Sequence, residues 1–185
     1  MGLLEQFDEV AVEFSRLVAA TPLDSLEAPT PCAEWTVRLL LNHVITGTQW
    51  YACVIEGRAT PDRSIDQVRD DPISAFNRRL NEFRAAIGKP GALDGTYHHG
   101  LGDMSGPTYL MMRANEYLVH GWDLARATGQ VAYFPDDLCL PCMDMYRKIL
   151  AGRIREPGRG FGIELPIASD ASPLDRLVAF FGRTP

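Results

Sequence analysis

Residues 107–130, PTYLMMRANEYLVHGWDLARATGQ, carry the clearest fold signal in the sequence. Their apolar side chains recur every three or four residues, which is the spacing of one face of an α-helix. Pro107 suits the first turn of such a helix, and Gly129 suits the position just after its end. We therefore predict a helix from Pro107 to about Ala127.

The same apolar spacing recurs through most of the remaining sequence. It predicts further helices from Leu3 to Ala19, from Val37 to about Glu56, from Pro72 to about Ile87, from Asp136 or Asp137 to about Gly152, and from Pro173 to Gly182. Residues 89–106 are rich in glycine and polar side chains and predict a long loop, whereas residues 161–168 predict a short extended segment. The expected fold is all-α: an antiparallel helical bundle forming a single domain over residues 1–185, with a short C-terminal helix and an irregular tail.

Composition narrows the functional classes. The 185 residues are 46% hydrophobic and 23% charged, which is typical of a folded globular protein. A formal net charge of −6 argues against a nucleic-acid partner, which would need a basic surface. We find no basic leader and no run approaching the roughly 20 apolar residues of a membrane span. We therefore expect a cytoplasmic protein without a membrane partner, and the sequence leaves a homodimer open.

Two ligand-type residues, Glu116 and His120, stand four apart on the helix predicted from Pro107 to about Ala127. That separation places both side chains on one face, where a carboxylate oxygen and an imidazole nitrogen can bind one divalent metal. The alternative is an ordinary helix-stabilising pair. The apolar neighbours of Glu116 favour a metal, because a bare carboxylate is costly to bury. His43, within the apolar stretch LLLNHVITG, is the best candidate for a third ligand from another helix.

Three polar residues near these ligands are candidates to orient them by hydrogen bonding: Asn42, Asn115 and Asp123. The sequence does not decide which of them points correctly. Asp123 has the alternative of capping the helix or pairing with Arg126. A site with three protein ligands would keep an open position, which is the arrangement of catalytic rather than structural metal sites.

Other polar residues are weaker candidates. His98 and His99 either line the open side of the site or are simply solvated. Arg153, Arg155 and Arg159 either bind an anionic substrate or form a solvated basic stretch, in a segment that we expect to be a mobile or ligand-covering loop.

A close cysteine pair, Cys139 and Cys142 in CLPC, raises a third class of function. Such a pair favours thiol redox chemistry when a strand precedes it in a βαβ unit, and no such context is evident here. Buried cysteines more often act as small apolar residues. The redox interpretation therefore ranks behind the metal site.

Two long motifs and the C-terminal segment resemble a known family. Residues 30–47, TPCAEWTVRLLLNHVITG, residues 115–130, NEYLVHGWDLARATGQ, and the ending GFGIELPIASDASPLDRLVAFFGRTP resemble the actinobacterial branch of the DinB-like superfamily. That branch includes the N-terminal domain of mycothiol-dependent maleylpyruvate isomerase. The resemblance implies a DinB-like antiparallel four-helix bundle, a divalent metal, usually zinc, at His43, Glu116 and His120, and mycothiol as a thiol cofactor.

The expected activity follows from an open metal site beside a thiol. A divalent metal lowers the pKa of a coordinated thiol and makes it a nucleophile near neutral pH. We therefore expect a thiol transferase or isomerase-like enzyme whose partners are a thiol and a small-molecule electrophile. The isomerase carries a larger C-terminal domain with a catalytic basic residue, so isomerisation of maleylpyruvate itself is not expected. A non-catalytic metal-binding or stress-response protein and a metal-dependent hydrolase remain the alternatives.

Overall fold

The computed structural model describes residues 1–33, 35–156 and 161–185. Within these residues the chain forms six α-helices and one pair of strands. The helices are α1 (Leu3–Ala19), α2 (Val37–Ile55), α3 (Pro72–Ile87), α4 (Gly106–Thr128), α5 (Cys139–Ile149) and α6 (Pro173–Phe180). Short 3₁₀ turns occur at Leu23–Ser25, Ala92–Asp94 and Asp136–Leu138.

Capping side chains explain where the bundle helices begin. The Thr36 hydroxyl accepts a hydrogen bond from the backbone N–H of Leu39 at the start of α2, and Asp71 does the same for Ser74 at the start of α3. Gly129 ends α4 in the left-handed conformation, with a φ of 69°, which a side chain would disfavour. These local signals place the helix ends near their predicted positions.

Helices α1 to α4 form the predicted antiparallel four-helix bundle. Helix α2 packs on α3 and α4, and α1 packs on α4 and α3. Aromatic rings fill the centre, where Tyr117 on α4 contacts Phe7, Phe14 and Phe76 at centroid distances of 5.1–5.7 Å. Burial of these large rings supplies much of the driving force for folding and holds α4 against α1 and α3. The Tyr117 hydroxyl also lies 3.0 Å from Thr48 Oγ1, which links α4 to α2.

A β-hairpin replaces part of the loop predicted for residues 89–106. Strand β1 (Thr96–His99) pairs antiparallel with β2 (Gly102–Ser105), with Thr96 opposite Ser105. The prediction of irregular structure is therefore wrong over residues 96–105. Each strand has only four residues and is mostly exposed. The sequence therefore lacks the alternation of apolar and polar residues that would predict a strand.

The C-terminal segment folds back onto the bundle. Helix α5 packs against α4 and α6, and α6 also packs against α4. Both helices are shorter than predicted, since the first predicted turn of α5 is a 3₁₀ turn and α6 ends at Phe180 rather than Gly182. Residues 162–168 join no strand, although the Leu165 N–H donates to the Ala179 carbonyl. Beyond α6, Phe181 and Arg183 are buried. Arg183 contacts Asp123 of α4, so the end of the chain lies next to the ligand-type residues of that helix.

Across the described residues, none of the helices combines the length and apolar character that crossing a membrane requires.

Candidate metal centre

The three predicted ligand-type residues converge between α2 and α4. His43 Nε2 lies 2.9 Å from Glu116 Oε2, and His120 Nε2 lies 3.6 Å from the same oxygen. One ligand atom from each of the three residues lies within 4.8 Å of the other two. His43, Glu116 and His120, called the trio below, therefore form one cluster, as the spacing on α4 and the chemistry of His43 predicted.

The trio has the dimensions of a divalent metal site. In a tetrahedral site with bonds of about 2.1 Å, ligand atoms lie about 3.4 Å apart. The two measured separations lie on either side of that value. Two imidazoles and one carboxylate are also a donor set of catalytic zinc sites, which leave a fourth position for water or substrate. The residues present therefore fit a divalent metal.

The protonation states of His43 and Glu116 suit metal binding. Burial lowers the pKa of His43 to about 4, although the adjacent carboxylate acts in the opposite direction. Burial raises the pKa of Glu116, but its hydrogen bond with His43 and the charges of His120 and Arg113 together hold this pKa well below its ordinary value. At neutral pH the cluster thus offers a neutral His43 imidazole and an ionised carboxylate, which are the forms that bind metals.

Asp123 orients the His120 ring from behind. Its Oδ2 lies 3.1 Å from His120 Nδ1, and this leaves Nε2 directed toward Glu116. Arg183 near the chain end donates to both carboxylate oxygens, from Nη2 at 2.9 Å and from Nε at 3.2 Å. Arg126 instead lies over the ring of Trp122, at 5.2 Å from its centroid. Asp123 is therefore the hydrogen-bond partner of His120, as one of its predicted roles required, and it pairs with Arg183 rather than with Arg126.

Arg63 makes a contact with His43 that sequence reasoning missed. Its Nη2 lies 3.0 Å from His43 Nδ1. A guanidinium can only donate, so Nδ1 is the acceptor and Nε2 carries the hydrogen that is donated to Glu116. A metal on Nε2 needs the lone pair of that nitrogen, which requires the hydrogen to be on Nδ1 and Arg63 to turn away. Arg63 therefore competes with metal ligation by His43.

Arg113 is a second cation that sequence reasoning missed. It is only 1% exposed and lies with its guanidinium between the rings of Tyr51 and Tyr117, at 5.2 and 4.8 Å from their centroids. Its Nη2 is 3.5 Å from Glu116 Oε2. A Cβ at Gly47 would lie 2.8 Å from Arg113 Nη1, so the glycine leaves room for this side chain. Its position three residues before Glu116 is the sequence signal that could have revealed it.

A small cavity of about 150 Å³ opens onto the trio. Its walls include the rings of Trp35, Phe161 and Phe181, and Asn115 also lines it. The Trp35 ring lies 4.6 Å from the His43 ring, measured between centroids. Four larger grooves, of about 280 to 610 Å³, lie elsewhere and include none of the trio. The trio therefore lines a small, mainly aromatic pocket.

The remaining loop and helix candidates serve other contacts. Asn42 anchors the loop after α2, since its side chain donates to the Ile65 carbonyl and accepts from the Gln67 N–H. His98 pairs with Asp103 on the exposed hairpin. His99 packs its ring near Trp50 and Tyr51, with centroids 5.7 and 5.9 Å apart. None of these three candidates has a hydrogen bond or ion pair with the trio among the described residues.

The described arginines of the predicted basic loop are engaged with the protein itself. Arg153 donates to the Leu101 carbonyl at 2.9 Å. Arg155 lies over the Phe180 ring and donates to the Phe180 carbonyl. Arg159 lies outside the described residues. These contacts give Arg153 and Arg155 a structural role in holding the C-terminal segment.

The cysteines are buried thiols. Burial raises the pKa of Cys139 to about 12 and raises that of Cys142 as well, which is opposite to the shift that activates a redox thiol. Cys32 lies within 4.8 Å of ligand-type atoms of His120 and Asp123, and burial raises its pKa to about 11. The environment of Cys139 and Cys142 therefore favours the apolar role over the redox one.

Comparison with known proteins agrees with this architecture. Residues 7–125, which include all three members of the trio, match the family described as the mycothiol maleylpyruvate isomerase N-terminal domain. The chain is 33% identical, over 175 residues and 92% of both chains, to an uncharacterized protein found in two strains of Mycobacterium tuberculosis. The crystal structures of mycothiol-dependent maleylpyruvate isomerase and of a mutant of it superpose with a TM-score of 0.62 at 16% and 15% identity. These alignments cover 77% of this chain and 68% of the isomerase, and they show a shared fold.

Proposed function

The chain belongs to the family of the mycothiol maleylpyruvate isomerase N-terminal domain, and we propose that it is a metal-dependent enzyme that uses a thiol. The thiol is mycothiol, as the names of the family and of the similar structures suggest. The reaction is transfer of the thiol to a small electrophile, or an isomerisation that proceeds through such an addition. We treat residues 1–185 as a single domain that carries the whole site.

The convergence of the trio beneath an aromatic pocket is the observation that carries this proposal. We assign His43 Nε2, Glu116 Oε2 and His120 Nε2 as the metal-binding atoms. Zinc is the first candidate, because two imidazoles and a carboxylate are a common catalytic zinc set. When bound, the metal supplies a positive charge that lowers the pKa of a thiol entering the open position.

The protein residues around the metal atoms have separate tasks. Glu116 contributes the negative charge among the ligands. Asp123 accepts from His120 Nδ1 and so keeps the opposite nitrogen free to bind. Trp35, Phe161 and Phe181 form apolar walls that limit the access of water to the reacting thiol. Apolar walls pack well against the carbon chain of a thiol and less well against a single water molecule. This difference favours thiol chemistry over hydrolysis.

The size of the pocket limits the substrate. A volume of about 150 Å³ admits the reactive ends of a thiol and a small electrophile. Larger parts of either molecule must therefore extend out of the pocket, and macromolecular substrates are disfavoured.

Metal analysis of the purified protein tests the assignment. We expect wild-type protein to retain stoichiometric divalent metal and His43→Ala, Glu116→Ala and His120→Ala each to lose most of it. His98→Ala is the matched control, because that histidine is exposed on the hairpin. Unchanged metal content in all three variants would overturn the site.

A second measurement tests the thiol. Metal-loaded protein should bind mycothiol in calorimetry and accelerate its loss in the presence of an electrophile such as 1-chloro-2,4-dinitrobenzene. A metal-loaded preparation that neither binds mycothiol nor consumes any thiol contradicts the proposed activity, even where the trio binds the metal.

A further inference from the structure

Asn115 has an unusual position in the pocket. It lies on α4 directly before Glu116 and is only 3% exposed. Its side-chain oxygen, Oδ1, is buried and has no hydrogen-bond partner in the described part of the chain. A buried amide oxygen without a partner is costly, and native proteins retain few such groups without a reason.

The neighbours of Asn115 in the pocket offer little to satisfy this oxygen. Val119, one turn further along α4, is apolar, and so are the rings of Phe161 and Phe181. The trio residues in the same pocket are directed at one another, with Glu116 Oε2 shared between the two imidazoles. A hydrogen-bond donor for Asn115 is therefore best supplied by a molecule that enters the pocket.

We propose that Asn115 is a specificity-determining residue for the thiol, and that its Oδ1 accepts a hydrogen bond from an N–H or O–H group that the thiol carries close to its sulfur. This inference rests on the proposed function and deepens it by naming the class of thiol. The site selects a thiol with an amide or hydroxyl donor near the sulfur and discriminates against plain alkyl thiols. The small pocket fixes the distance between sulfur and donor, because both must lie inside it.

Two small thiols that differ in a single group test this inference. N-Acetylcysteamine carries an amide N–H two carbons from the sulfur, and 2-mercaptoethyl acetate has an ester oxygen in the same place. Their dissociation constants are measured with zinc-loaded protein by calorimetry, with quenching of tryptophan fluorescence as a second readout. We expect wild-type protein to bind the amide about three- to tenfold more tightly, the effect of one neutral hydrogen bond.

Two variants isolate the contribution of Asn115. Asn115→Leu keeps the approximate size of the side chain and removes the acceptor, so it should bind both thiols with equal affinity while retaining zinc. Asn115→Ala is the second variant in case the leucine disturbs folding, and thermal unfolding reports on both. Val119→Ala is the matched control, since it alters the same pocket wall without changing a polar group and should keep the amide preference.

The outcomes separate this inference from the proposed function. If wild-type protein binds both thiols equally, or if Asn115→Leu and Asn115→Ala keep the amide preference, the role of Asn115 is overturned while thiol binding stands. If zinc-loaded wild-type protein binds neither thiol and also fails to bind mycothiol, both the inference and the proposed function are overturned.

Discussion

The ion pair between Asp123 and Arg183 offers a sharp test of how the chain end supports the site. We predict that Arg183→Met lowers the free energy of unfolding and weakens zinc binding. Asp123 is fully buried and Arg183 is 4% exposed, and two charge-assisted hydrogen bonds of 2.9 and 3.2 Å join them. The substitution removes the cation and leaves the carboxylate buried with His120 as its remaining side-chain partner among those described here.

The magnitude follows from the burial of the pair. Removing one partner of a buried ion pair costs about 3–5 kcal/mol, because the other charge stays desolvated without compensation. The contact between Asp123 and His120 persists, so we expect the lower end, about 3 kcal/mol. Zinc affinity should fall about tenfold, as is typical when a group that orients a ligand is disturbed.

Urea denaturation of the metal-free protein measures the stability change, and competition with a chromogenic chelator measures zinc affinity. Arg147→Met is the matched control, because it breaks an exposed pair with Glu164 and should cost less than about 1 kcal/mol. The double variant Asp123→Asn with Arg183→Met removes both charges and should recover most of the lost stability. If Arg183→Met lowers the free energy of unfolding no more than Arg147→Met does, Asp123 and Arg183 do not form a stabilising buried ion pair.

Two further predictions concern His43. Replacing Arg63 with methionine should tighten zinc binding about two- to tenfold, because it removes the donor that opposes the metal-binding tautomer. Arg58→Met is the control, since Arg58 is exposed and pairs with Glu56, and weaker zinc binding in Arg63→Met would contradict the argument. The pH dependence of stability should also report on His43, since burial lowers its pKa from 6.5 to about 4. Within that window the unfolded chain binds a proton that the folded chain does not, so the free energy of unfolding of metal-free protein should fall as pH drops from about 6.5 to about 4. Urea denaturation at a series of pH values should show a shallower fall in His43→Gln, and equal slopes in both proteins would refute the assignment.

The trio was predictable from sequence because its strongest signal is local. Glu116 and His120 are four residues apart on a helix whose apolar spacing is evident, so their shared face follows from helix geometry alone. His43 lies on a separate helix, and only its residue type, its apolar setting and the family resemblance pointed to it. The bundle was predictable for a related reason, since helix caps such as Thr36 and Asp71 are local signals.

The features that sequence reasoning missed depend on long-range packing. Arg183 meets Asp123 across 60 residues, and no periodic pattern encodes that contact. Arg63 reaches His43 from an irregular loop, where side-chain direction has no regular rule. Arg113 lies in an apolar helix, and the rings of Tyr51 and Tyr117 that accommodate its charge are identified only once the helices are packed.

These missed residues bear on the choice between a thiol and water at the open position. Glu116 is the single anion in the trio, and neutral imidazoles add no charge, so a dication held there keeps a net positive charge. Arg113 adds further positive charge beside it, whereas Asp123 is already compensated by Arg183. In a pocket with apolar walls, such an excess of positive charge stabilises an anionic ligand more than a neutral one. A thiol reaches its anionic form more readily than water does, so the positive charge of Arg113 favours the thiol chemistry that we propose.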